Sequence, residues 1–138
     1  MRVVIDTNVL ISAAIKPKSR LGLLIQYLHQ ARYMLIYSSE MLDELAEVFS
    51  RPKIRQKYNL DEEAIDTVIG VIVTRGENVI PTKNIAICRD PDDNLFLSLA
   101  LDGHADYIVS GDGDLLSLSP FRGIAIIKPA EFLNILAK

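Results

Sequence analysis

The sequence predicts an α/β fold built on a mainly parallel sheet with helices on both faces. Three observations point there. Short strand-like runs alternate with longer stretches of helical periodicity, in the order strand, helices, strand, helices, strand, helix, strand, strand, helix. The runs Val3-Val4-Ile5 and Tyr107-Ile108-Val109 lack polar alternation, as strands buried on both faces do. Both stop abruptly in polar residues, Asp6-Thr7-Asn8 and Ser110-Gly111-Asp112-Gly113-Asp114. Ligands of such sheets bind beyond the carboxyl ends of the strands, so these two stretches are placed for chemistry.

Each element has a local reason. After Ile5 a helical pattern runs through Val9, Leu10, Ile11, Ala13 and Ala14. Lys16 to Arg20 is a basic loop with a proline, and Ser19 is placed to cap the next helix, whose apolar face is Leu21, Leu24, Ile25 and Leu28. Tyr33 to Tyr37 reads as a strand, and Ser38-Ser39 offers an N-cap to an acidic helix from Glu40 to Ser50. The stripe of that helix is Met41, Leu42, Leu45, Val48 and Phe49. At ~100° per residue, Glu40, Asp43 and Glu47 lie roughly 140–180° from the stripe centre and Glu44 about 120°. Glu44 is therefore the acid best able to look into a cleft.

Pro52 starts a new helical turn in the basic stretch Arg51 to Lys57, which reads as a solvated face or an RNA contact. Asp61 opens a helix with Ala64, Ile65, Val68, Ile69 and Ile72 on one side. Val79-Ile80 is expected to be a short strand, and Ile85 to Ile87 extended or loop. Asp90, Asp92 and Asp93 crowd the start of a helix carrying Leu95, Phe96, Leu99 and Ala100, which Gly103 ends. Ser110 to Asp114 reads as a glycine-rich turn, Gly123 to Ile127 as the last strand, and Pro129 as the start of a final helix.

Residues 1–138 suit one domain, and 49% apolar content argues against disorder. Fifteen Lys and Arg against eighteen Asp and Glu give a formal charge of -3. A nucleic-acid binder relying on phosphate neutralisation alone would be basic, so a local patch or a metal must do that work if nucleic acid is the partner. One cysteine, Cys88, excludes an internal disulfide and fits a reducing compartment as a small buried group. The apolar run after Arg2 stops at Asp6, without a secretory pattern, and no stretch approaches the ~20 apolar residues that span a bilayer. A cytoplasmic protein without a membrane partner is expected. His29 and His104 lie outside the motifs and are expected at the surface.

Right-handed crossovers bring the strand ends together along one edge. If Asp6, Glu44, Asp93 and Asp112 converge there, they make six repulsive pairs at about 3 kcal/mol each, on the order of 10 kcal/mol in all. Such a pocket takes up protons or binds cations. With oxygen ligands only, the cation is a hard one, Mg²⁺ or Mn²⁺, which can orient a water and stabilise charge on a phosphoryl group. That is the logic of a hydrolytic nuclease. Thr7, Asn8, Ser110 and Asn94 either orient ligands or satisfy backbone groups.

These residues resemble a known family. Val3 to Leu10 is similar to the opening of PIN-domain proteins, and Asp43-Glu44-Leu45 within Ser38 to Val48 resembles their helix-borne acid. Arg89-Asp90-Pro91-Asp92-Asp93-Asn94, followed by Phe96 and Ala100, resembles the third acid segment. Val109 to Leu115 resembles the fourth, with Ser110 in place of the commoner Thr. The resemblance is nearest to toxin components of toxin–antitoxin pairs, including VapC-like proteins. It implies an α/β/α sandwich of about five strands and a metal-dependent ribonuclease that cuts single-stranded RNA and often dimerises, held in check by an antitoxin. It implies Asp6, Glu44, Asp93 and Asp112 as catalytic metal ligands, with Asp92 the alternative to Asp93, and Asp114 a further candidate.

Two other classes stay open. One is a phosphoaspartate phosphatase in which Asp6 attacks phosphate. Such enzymes usually carry a second Asp two positions on, where this chain has Asn8. The other is a non-catalytic module whose acidic pocket docks a basic segment.

Overall fold

The computed structural model describes residues 1–138. Its strands are β1 (Arg2–Ile5), β2 (Met34–Tyr37), β3 (Gly76–Asn78), β4 (Tyr107–Val109) and β5 (Ala125–Ile127). Its helices are α1 (Thr7–Ile15), α2 (Leu23–His29), α3 (Ser39–Ser50), α4 (Pro52–Lys57), α5 (Glu62–Arg75), α6 (Pro91–Asp102), α7 (Gly113–Leu116) and α8 (Pro129–Leu136). The sheet order is β3-β2-β1-β4-β5, and every neighbouring pair is parallel.

Val3, Val4 and Ile5 are fully buried, as are Leu35, Ile36, Ile108 and Val109. Successive residues of a strand face opposite sides, so a run buried at every position means a sheet covered on both faces. The chain steps from β1 to β2 to β3 in one direction and then returns across the sheet to β4. Right-handed connections therefore put α6 on the face opposite the helices that precede β3. On the first face α1, α2, α3 and α5 pack on one another, and α8 joins α2. On the other, α6 lies against β1, β2 and β4 through Phe96, Leu97, Leu99 and Ala100, all buried. The expected α/β/α layering with a parallel five-stranded sheet is what the chain forms. No helix is long and apolar enough to cross a membrane.

Three local expectations need correction, and a fourth, that Gly103 ends α6, holds through a different backbone geometry. The third strand is Gly76–Asn78, three residues before Val79-Ile80. Helix α5 runs straight into it, and only a residue without a side chain fits the junction: a Cβ on Gly76 would lie 2.5 Å from the Ile72 carbonyl oxygen and 2.9 Å from that of Leu35. Ile80 is left 80% exposed. Ser19 does not cap a helix through its side chain; its hydroxyl donates back to the Lys16 carbonyl at 2.6 Å, and a 3-10 turn leads into α2. Gly103 does end α6, in ordinary right-handed geometry, and the left-handed residue is His104 (φ 52°). Gly103 is required by closeness, because a Cβ there would meet Ile36 Cγ2 at 2.6 Å. The turn after Gly111 is a single helical turn, α7, capped by Asp112.

Candidate active site

The sheet order places a switch point between β1 and β4, where chain connections leave in opposite directions. Asp6 follows β1 there. It is buried, its N–H donates to the Val109 carbonyl at 2.9 Å, and its Oδ1 caps α1 by accepting from the Asn8 N–H at 3.0 Å. Ser110 follows β4 and is fully buried. Its hydroxyl donates to Asp6 Oδ2 at 2.8 Å and accepts from the Asp112 N–H at 3.0 Å. One serine therefore fixes a carboxylate on one strand end to the backbone of an acid on the next. Asp112 in turn caps α7, its Oδ1 accepting from the Asp114 N–H at 2.9 Å.

The other two acids come from helices. Asp93 is the third residue of α6, behind the cap residue Asp90, whose Oδ1 accepts from the Asp92 N–H at 2.9 Å. Asp93 is only 3% exposed, and its Oδ2 has no hydrogen-bond partner. Glu44 sits in the second turn of α3, a helix fixed at its start by Ser38, whose Oγ accepts from the Met41 N–H at 3.2 Å. Glu44 is half-buried, whereas Glu40, Asp43 and Glu47 are exposed, as the helical wheel predicts.

All four acids line one cavity of about 490 Å³. Asp90 and Asp92 line it as well, so six of its fourteen lining residues are acids, and none is Lys, Arg or His. The consequence is electrostatic. Burial raises the Asp6 carboxyl, with Asp112 and Asp90 adding to the rise and the hydrogen bonds from Ser110 and Asn8 opposing it. Burial also raises Glu44, helped by Asp92, Asp6 and Asp90. Asp93 is pushed up to about 7, first by burial, then by its side-chain hydrogen bond with Asp112 and by repulsion from Asp112, Asp90 and Asp6.

A divalent metal fits this donor set in its chemistry. Every charged group on the wall is a carboxylate, and one buried carboxylate oxygen is unsatisfied. The acids surround the cavity without closing on a point: no three His, Cys, Asp or Glu side chains are gathered tightly enough to cage an ion.

The remaining candidates separate. Asp114 is outside the cavity wall and pairs with Arg89 at 3.0 Å. Asn94 ties down a loop, its Oδ1 accepting from the N–H groups of Ile87 (3.1 Å) and Cys88 (2.9 Å). Thr7 lines the cavity with its hydroxyl buried and unpartnered. Arg51, in the basic stretch, is engaged by Glu47 one helical turn back at 2.8 Å. Both histidines are exposed, and Cys88 is half-buried rather than buried. Asp90 is the wall residue that sequence reasoning left as a capping group alone; its capping role was readable, its cavity position was not.

The PIN domain family model matches residues 2–114. Uncharacterized protein MJ1680 of Methanocaldococcus jannaschii is 35% identical over 118 residues, covering 86% of this chain and 75% of that protein. No solved structure matches the chain significantly. With all four acids, Asp6, Glu44, Asp93 and Asp112, inside the matched span, the chain belongs to the PIN-domain family.

Proposed function

We propose that this chain is a divalent-metal-dependent endoribonuclease that hydrolyses phosphodiester bonds of single-stranded RNA, PIN domains being generally nucleases. The observation that carries the reading is the buried, unpartnered Oδ2 of Asp93, in a wall with six carboxylates and no cationic side chain. Such an arrangement is costly in itself and is useful only when positive charge enters. Asp6, Glu44, Asp93 and Asp112 would hold one or two Mg²⁺ or Mn²⁺ ions. Bound there, the metal supplies charge to a phosphoryl oxygen and lowers the pKa of a water. Ser110 keeps Asp6 and the backbone of Asp112 in fixed relation. Asp93, whose carboxyl is raised to about 7 chiefly by burial, would release its proton to solvent in order to hold such a cation. Asn8 and Ser12, on the same wall, offer an amide and a hydroxyl to phosphate oxygens.

By its resemblance to PIN-type toxins the chain is further proposed to act in the cytoplasm as the toxin of a toxin–antitoxin pair, as a homodimer. Labelled single-stranded RNA incubated with purified protein in Mg²⁺, Mn²⁺ or EDTA tests the central reading, with Asp6→Asn and Asp93→Asn alongside. Metal-dependent cleavage should fall at least about 10³-fold in both variants. Cleavage that survives both substitutions overturns the site. A covalent phosphate adduct on Asp6, or partner binding lost in Asp6→Asn without cleavage by any form, overturns the nuclease reading.

A further inference from the structure

The charged residues of the cavity wall are all acids, yet its substrate would be a polyanion. Cations are found one residue outside it. Arg89 precedes Asp90, Arg20 precedes Leu21, and Lys128 precedes Pro129; Asp90, Leu21 and Pro129 line the cavity, and all three cations are exposed. Arg89 is the one whose geometry is informative. Its Nη2 donates to both carboxylate oxygens of Asp114, at 3.2 and 3.0 Å, while Nε and Nη1 make no protein hydrogen bond. The side chains are 88% and 55% exposed. The pair joins the segment entering α6, which supplies Asp90, Asp92 and Asp93, to α7, whose cap is Asp112. It therefore spans two walls of the same cleft.

We propose that Arg89 is a substrate-binding residue that takes a phosphate of the RNA strand beside the cleft, and that Asp114 holds the guanidinium there when no substrate is present. This rests on the ribonuclease reading. An ion pair this exposed is worth little, so exchanging the Asp114 carboxylate for a phosphate costs little. The exchange brings the unused donors of the guanidinium into play, because arginine grips phosphate through parallel hydrogen bonds. Asp114 holds the arginine only loosely, because both side chains of the pair face water. The cleft then divides the work: carboxylates with their cation meet one phosphate, and Arg89 meets a neighbouring one.

The test is binding of a fluorescent single-stranded RNA oligomer, by anisotropy in Mg²⁺ across a salt series, in an Asp93→Asn background that removes turnover. Arg89→Ala should weaken binding about five- to tenfold, as loss of one charged hydrogen-bonded contact does. It should also reduce the slope of log Kd against log salt by about 0.7, the value for one phosphate contact to a single strand. Arg89→Lys should keep most of the slope and lose part of the affinity. Asp114→Asn should tighten binding about two- to fivefold, since it frees the guanidinium. Thermal melting separates these effects from misfolding. RNA binding that is unchanged in affinity and salt slope by both Arg89→Ala and Asp114→Asn overturns the proposal and leaves the ribonuclease reading standing. A parent protein that binds no RNA overturns both.

Discussion

The two edges of the sheet treat charge in opposite ways. At the amino edge Arg2 meets partners through both its side chain and its backbone. Its Nε donates to the Gly103 carbonyl at 2.7 Å, its Nη2 pairs with Glu77, and its N–H donates to the Asp106 carboxylate at 2.8 Å. One acid and a carbonyl dipole answer the guanidinium, a second acid takes the backbone N–H, and the contacts stitch β1, β3, the end of α6 and the start of β4. At the carboxyl edge six acids face one cavity with no cation in its wall. The same backbone and the same strands support both arrangements. Neutralised charge is what an edge needs in order to be stable. Acids left unanswered on the opposite edge are a cost that the fold bears for a ligand.

If that contrast is right, the carboxyl edge should respond to pH and to ions, and the amino edge should not. Asp93 has a folded pKa raised from 3.8 to about 7, and Asp6 and Glu44 are raised in the same direction. A carboxyl whose folded value is raised contributes stability that is fully present below its unfolded value and is lost as pH rises through the folded value. Ion-free protein should therefore lose stability between pH 5 and 8. Asp102 and Glu47, shifted downward by hydrogen bonds from Thr82 and Arg51, act below that window. Melting temperature measured in EDTA should fall on the order of 5 °C from pH 5 to pH 8. Mg²⁺ should restore most of the loss, and Asp93→Asn should flatten the curve without added ion. Parallel curves for wild type and Asp93→Asn would dissolve the contrast.

Ser110 gives the next largest effect. Ser110→Ala removes the hydroxyl that donates to Asp6 Oδ2 and accepts from the Asp112 N–H. Groups that orient metal ligands from behind are typically worth 10- to 100-fold, so cleavage should drop by about that factor while the fold persists. Removing the donor should also raise the Asp6 carboxyl further, moving the pH–rate profile upward. Ser110→Thr, which keeps the hydroxyl, should retain most of the activity. Cleavage by Ser110→Ala equal to that of wild type would make the serine a packing residue only.

The sequence disclosed the parts of this site that depend on local pattern. Asp6 and Asp112 were legible because each ends a strand whose apolar residues sit side by side, and Glu44 because the wheel left it nearest the stripe. What stayed hidden depends on approach between distant segments. Asp90 caps α6 by local rules, but it reaches the cavity only because α6 packs across β1 and β4. Arg89 and Asp114 are 25 residues apart, and nothing in either neighbourhood announces the pair. Strand β3 escaped because Gly76-Glu77-Asn78 has no strand-like composition; it is extended through pairing with Leu35, Ile36 and Tyr37. A single turn such as α7 is too short to show a period.

The smallest effect belongs to the satisfied edge. Arg2→Ala removes a guanidinium that is only about a third exposed and leaves Glu77 and the Gly103 carbonyl without it. A charged hydrogen bond to a carbonyl and a partly solvated ion pair together are worth about 1–2 kcal/mol. That loss should appear in urea or thermal unfolding. Cleavage per folded molecule should be unchanged, because Arg2 lies at the opposite end of β1 from Asp6. Unlike Asp93→Asn, Arg2→Ala should leave the pH dependence of stability between pH 5 and 8 and its response to Mg²⁺ as they are in wild type. Cleavage that fell with Arg2 in proportion to the acids would mean the two edges are coupled through β1, and charge at one would then report on chemistry at the other.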